Sequence, residues 1–286
     1  RIPADRCVRR GSYRARVGAT AGMEFLPDSR CLEAVEDACR RAIRQLSAKK
    51  PPSGRLPVVA DPELTGVFCH EAIGHAAEAD LVLAGESQLA GRLGQRVAPE
   101  AVTIVDDSTL PRGYGSFAVD DEGAPARVKR IIERGVLTEF LHSRETAAQL
   151  GGEANGAARA ESYASPPLVR MSNTLMRAGD WSLEEMLEDV RCGVLAVGSR
   201  GGQVDTAKGP FQFTAQEAFL IERGEVTRPL LDVGISGDML PTLASIDAVG
   251  DTVGLGSPGM CGKGQWVPVC DGGPHVRIGN VVVGGA

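Results

Sequence analysis

The stretch Cys69-His70-Glu71-Ala72-Ile73-Gly74-His75 decides how this chain is read. It holds two of the chain's four histidines, with a carboxylate directly after the first. Neutral imidazoles are good zinc ligands, and a carboxylate beside them can take a proton from water at the metal. The familiar arrangement spaces the histidines four apart, whereas His70 and His75 are five apart. At ~100° per residue, five residues leave the side chains ~140° apart on a regular helix, too divergent to share one ion. A π-type bulge widens the turn and returns the pair to one face, and Gly74 is the place for it. Without such a bulge the two histidines would simply be helix residues, one buried and hydrogen-bonded and the other exposed.

Working outward, Asp61-Pro62 starts a helix that carries the motif to about Leu83, and Leu56-Pro57-Val58-Val59-Ala60 before it reads as a short buried strand. Further upstream, residues 29–48 form an amphipathic helix with Leu32, Val35, Cys39, Ile43 and Leu46 at helical spacing, a face expected to pack against something. The Lys49-Lys50-Pro51-Pro52-Ser53-Gly54 stretch breaks that pattern and divides the chain into residues 1–53 and 54–286. Downstream, apolar runs at 101–105, 115–119, 128–132 and 136–142 read as strands, as does Val276–Val283. Arg134-Gly135 and Arg223-Gly224 each sit between apolar runs as hairpin turns, and short helices are expected near 143–150 and 182–191, the second capped by Ser182 with Glu185. The class is therefore α+β.

At 286 residues the chain can bury a full core, and 43% hydrophobic and 24% charged residues are near the globular average. Thirty-six glycines against 4% aromatics suit a β-rich domain with many turns. The net charge of -6, without a basic block, disfavours nucleic-acid binding. No apolar run approaches the ~18 residues of a membrane span. Seven cysteines without framework spacing suit a reducing compartment, with the cytoplasm as default.

A catalytic zinc takes three protein ligands and keeps one position open. Glu78 and Asp80, on the same helix, are candidates for the third, as is Cys261 in the glycine-rich Ser257–Gln265 loop. Spacing leaves all three open, along with the plain alternatives of a solvated helix face and a small buried thiol. Asp106-Asp107 and Asp120-Asp121-Glu122 lack calcium-loop spacing and read as acidic turns.

Several separated motifs, in order, carry a resemblance: His70–His75, Val119-Asp120-Asp121-Glu122-Gly123, Glu161-Ser162-Tyr163, Arg170-Met171-Ser172-Asn173-Thr174, Gly201-Gly202-Gln203-Val204-Asp205 and Met260-Cys261-Gly262-Lys263. From about Pro57 to its C-terminus the chain resembles the TldD/PmbA metallopeptidases, also called modulators of DNA gyrase, and specifically their TldD-type catalytic subunit. The resemblance implies a β-rich C-terminal metallopeptidase domain with a zinc-binding helix. Residues 1–53 would then be the end of an α/β N-terminal region present here only in part. It implies zinc held by His70, His75 and Cys261, with Glu71 as general base. It further implies cleavage of unstructured peptides by a homodimer or a heterodimer with a PmbA-like subunit. The Gly201, Gly202, Gln203 and Val204 segment could present backbone to an extended peptide, or be only a tight turn between strands. The rival reading is a non-catalytic peptide-binding or partner subunit that keeps the fold.

Overall fold

The computed structural model describes residues 11–25 and 29–285. Its centre is the expected helix, which begins where Asp61 accepts the Leu64 N–H through its side chain and Pro62 occupies the first turn. The α-helix Pro62–Phe68 passes directly into a π-helical turn, Cys69–Gly74, and then a 3-10 turn, His75–Ala77. The bulge expected near Gly74 is thus present, and its widest bond joins the two histidines themselves: the His75 N–H donates to the His70 carbonyl. Gly74 has ordinary helical dihedrals, so freedom of the backbone is not why it is glycine. A Cβ there would lie 1.9 Å from Met171 Sδ, so glycine lets the widened turn press against the wall behind it.

Two sheets enclose this helix. In the first, the strands Gly54–Ala60, Cys192–Val204, Pro210–Glu222, Val233–Asp238 and Val276–Gly285 pair in that order. Val276–Gly285 then pairs back onto Gly54–Ala60, closing a ring. Closure satisfies strand edges that would otherwise be exposed. The second sheet runs Gly254–Leu255, Trp266–Gly273, Asn173–Met176, Ile104–Asp107, Val128–Glu133 and Val136–Leu137, with Gly259–Gly262 folded onto Trp266–Gly273. The helix fills the space between them. Phe68 meets Phe211 and Phe213 of the first sheet edge-on, and Gly66 sits so close to Gly272 of the second that a Cβ would be 2.3 Å from its backbone nitrogen. Ala72, Ile73, Ala76 and Ala77 are fully buried, which fixes the direction in which the histidines point.

Both Arg-Gly pairs make the expected hairpin turns, with positive φ at Arg134, Gly135, Arg223 and Gly224. Ser143 and Ser182 each close a capping box on the helices Arg144–Leu150 and Leu183–Glu188. Three expectations need correction. Residues 115–119 are not a strand: the Gly115 N–H is taken by Asn173 Oδ1 and the Ser116 N–H by the Gly113 carbonyl, and pairing is limited to an isolated antiparallel bridge between Val119 and Pro125. Only Val136–Leu137 of the 136–142 run is strand. The helix Ser29–Gln45 forms, but its apolar stripe is exposed at Leu32, Val35 and Ile43. It docks by its charged face instead, through Arg41 and Arg44 to the buried Glu217. No described helix is long and apolar enough to cross a membrane.

Candidate metal centre

The π turn brings His70 and His75 to one side of the helix with their rings 5.1 Å apart and nearly perpendicular. Cys261 arrives from the second sheet, on the strand Gly259–Gly262. Its Sγ lies 3.2 Å from His70 Nε2 and 3.3 Å from His75 Nε2. Among the described residues these three side chains form a group whose donor atoms all lie within 4.8 Å of one another. Ligands ~2.0–2.3 Å from a tetrahedral zinc stand roughly 3.3–3.7 Å from each other, so the donors are already spaced for the ion. Chemistry agrees with geometry. Burial opposes ionisation of Cys261, but hydrogen bonds from His70 and then His75 outweigh it and draw the thiol down to about 5. A thiolate beside two ring nitrogens is the ligand form of this set.

Of the other two candidates for the third ligand, Glu78 stands behind His75 instead of beside it. Its Oε2 accepts from His75 Nδ1 at 3.1 Å, leaving Nε2 for the metal side. It is fully buried and also meets Lys263 Nζ at 3.0 Å. Burial alone would raise its carboxyl, yet the neighbouring His75 and Lys263 hold it below the usual carboxylate range. Asp80 is occupied by Lys263 at 2.7 Å. Cys69 is fully buried, and that burial drives its thiol far above the ordinary value. Among the described residues, Glu78 and Cys69 both lie outside the group of converging donors.

Glu71 borders a cavity of about 460 Å³ together with His70 and Cys261. Its carboxylate is 4.0 Å from His75 Nε2 and its side chain is 31% exposed, so it meets solvent from beside the donors. Gly201 and Gly202 line the same cavity, whereas Gln203 and Val204 lie further along their strand, paired with Gln212 and Phe211. Asp106 is sealed in a pair with Lys129 at 2.8 Å, and Asp120 accepts three backbone N–H groups as a turn residue. The remaining described histidines, His142 and His275, are outside the cluster.

Two participants escaped the sequence reading. Arg170 is fully buried, donating to the Cys261 carbonyl at 2.6 Å and the Gln265 carbonyl at 2.9 Å, so it fixes the loop that delivers the thiolate. Its place in a recognisable motif was the only signal. Asp271 lines the cavity with a buried Oδ1 that has no hydrogen-bond partner. Burial raises its carboxyl to about 7, against the pull of nearby His70. Because the folded value exceeds the unfolded one, this group favours the folded state at low pH, and that contribution is lost as pH rises from about 4 through 7. At ~1.4 kcal/mol per unit, Asp271→Asn should stabilise the metal-free chain by roughly 2–4 kcal/mol at pH 8 and by almost nothing near pH 4. Chemical denaturation at the two pH values measures this; an equal effect at both would show that Asp271 does not titrate between them.

Known proteins share this framework. The family model described as the PmbA/TldA metallopeptidase C-terminal domain matches residues 53–285. A metalloprotease of Methanothermobacter thermautotrophicus is 54% identical over 269 residues, covering 94% of this chain and 59% of its own length. A zinc metalloprotease TldD homolog of Saccharolobus solfataricus is 40% identical over 248 residues, covering 86% of this chain and 55% of its own. Among solved structures, a modulator of a DNA gyrase from Thermotoga maritima superposes with a TM-score of 0.72 at 29% identity, covering 88% of this chain and 54% of that one. TldE from Thermococcus kodakarensis gives 0.71 at 23%, covering 89% and 55%, and shares the fold. The chain thus spans little more than half the length of these relatives. On the extent of the family match and the identity to its relatives, the chain belongs to the PmbA/TldD metallopeptidase family, whose C-terminal domain it carries.

Proposed function

We propose that this chain is the catalytic domain of a TldD-type zinc peptidase that cleaves unstructured peptides. The observation that carries the reading is the meeting of His70 Nε2, His75 Nε2 and Cys261 Sγ at ligand spacing on the wall of a cavity that Glu71 also borders. Zinc bound there would supply Lewis acidity toward water and the scissile carbonyl. The chain's residues do the rest. His70, His75 and Cys261 hold the ion, and their thiolate donates enough charge that further hydrogen-bond donors are needed at the developing oxyanion. Glu71 Oε takes the proton of the attacking water and passes it to the leaving amide nitrogen. The strand Cys192–Val204 is paired with Gly54–Ala60 only through Ala196, and beyond that point Gly201 and Gly202 line the cavity, where an extended peptide would be added along the strand. The same reading includes the division at residues 53 and 54, a cytoplasmic setting and a dimer, either of two such chains or with a PmbA-like subunit.

Metal analysis combined with a peptidase assay tests this. One zinc per chain is expected, with cleavage of an unfolded peptide abolished by a chelator and restored by added zinc. A chain without stoichiometric zinc would sink the proposal. One that holds zinc and binds peptide without cutting it would be the non-catalytic partner instead.

A further inference from the structure

The segment Gly11–Thr20 has no regular secondary structure, yet it is held at several points along its length. The Ser12 N–H donates to Gln45 Oε1, and the Arg41 guanidinium lies 5.0 Å from the centre of the Tyr13 ring. Gly18 rests on Pro258, and Thr20 Oγ1 donates to the Gly113 carbonyl at 2.9 Å. The segment therefore crosses from the closed ring to the second sheet. On its way Ser12, Tyr13, Arg14 and Arg16 form a wall of the cavity whose other walls include His70, Glu71 and Cys261.

The contact at its middle is of a particular kind. Gln216 Oε1 accepts the Arg14 N–H at 3.0 Å, and Gln216 Nε2 donates to the Arg14 carbonyl at 3.0 Å. One carboxamide thus engages both main-chain groups of one residue, leaving the side chain out of the bond and exposed. Gln216 is 6% exposed, and among the described residues Arg14 supplies the partners of its carboxamide. Its own carbonyl is pinned by Gln45 Nε2 at 3.1 Å and Arg200 at 3.3 Å, so the side chain is held ready in place. A buried carboxamide left without partners costs about 1–3 kcal/mol per group, so if the segment moved away, Gln216 would favour any peptide backbone that replaced it.

We propose that Gln216 is the main-chain reader of the peptide cleft and that Ser12–Arg16 is a resident pseudosubstrate, which an incoming extended peptide displaces. This rests on the peptidase reading and deepens it: recognition through an N–H and a C=O selects for extended, unfolded chains while ignoring their side chains. The wall that Arg14 now forms would become part of the binding groove.

The test uses the full chain with chelator present, so that binding is read without turnover. The probe is a fluorescein-labelled peptide copying residues 11–20, followed by fluorescence anisotropy. Arg14→Pro removes the resident N–H at an exposed position, and the loss of about one hydrogen bond should tighten probe binding by roughly 10-fold over wild type. N-methylation of the probe at the arginine matching Arg14 should abolish that gain, as should Gln216→Ala in the Arg14→Pro background. Equal binding by wild type and Arg14→Pro, or indifference to N-methylation, overturns the proposal. The N-methyl comparison needs no change at Gln216, so it decides the matter even if that variant folds poorly. Because metal is absent, this result stands apart from whether the loaded chain is a peptidase.

Discussion

Glu71→Gln should leave zinc content unchanged and lower kcat for an unfolded peptide by roughly 10²–10⁴-fold, the range that a positioned general base contributes. The substitution keeps the shape of the side chain and removes its ability to accept a proton. Glu71 sits in the π turn between the two histidines, close enough to the donor cluster to reach water there, at 4.0 Å from His75 Nε2. It is not one of the three converging donors, so the ion should stay when it is neutralised. The measurement is kcat beside metal content on the same preparation. Equal cleavage by wild type and variant would remove Glu71 from the mechanism. A rise in KM alone would assign it to substrate binding.

The contrast between what could and could not be read from the sequence follows the range of the interactions. The five-residue interval between His70 and His75 is a local quantity, and a local geometric argument turns it into the π bulge over Cys69–Gly74. The Arg-Gly hairpin turns and the two capping boxes are local in the same sense. The third donor is not: Cys261 reaches the histidines only because a hairpin of the second sheet folds over the helix, and no spacing rule links positions so far apart. Surroundings outside the segment also decide the failures. An apolar stripe at Leu32, Val35 and Ile43 predicts a buried face, but the buried Glu217 attracts Arg41 and Arg44, and the helix turns its charged side inward. Residues 115–119 have the composition of a strand, but Asn173 takes a backbone donor that a ladder would need. Gln216 shows no motif at all, since its role comes from being buried beside a backbone 202 residues away.

The other large effect should come from Glu78→Gln, which is expected to weaken zinc binding by about 10–100-fold, the usual cost of removing an outer partner of a ligating histidine. Glu78 lies three residues after His75, a spacing that first made it a candidate ligand, and the structure gives that same proximity a different use. Its Oε2 holds the proton on His75 Nδ1, so Nε2, the nitrogen that faces Cys261, is the one that would give its lone pair to the ion. Lys263 Nζ braces the carboxylate from the other side, and Arg170 Nε stands 4.0 Å from Oε1 while its other nitrogens hold the Cys261 and Gln265 carbonyls. Ring orientation and thiolate delivery therefore depend on one buried charge. Gln keeps the volume but removes that charge, and its amide can turn either oxygen or nitrogen toward Nδ1. Competition against a chelator of known affinity measures the loss, with thermal unfolding of the metal-free chain as the companion measurement. A purely structural role would lower metal-free stability and leave zinc affinity unchanged once folded protein is counted. An orienting role lowers affinity in the folded fraction itself, and Glu78→Asp, which restores the charge on a shorter arm, should recover part of it.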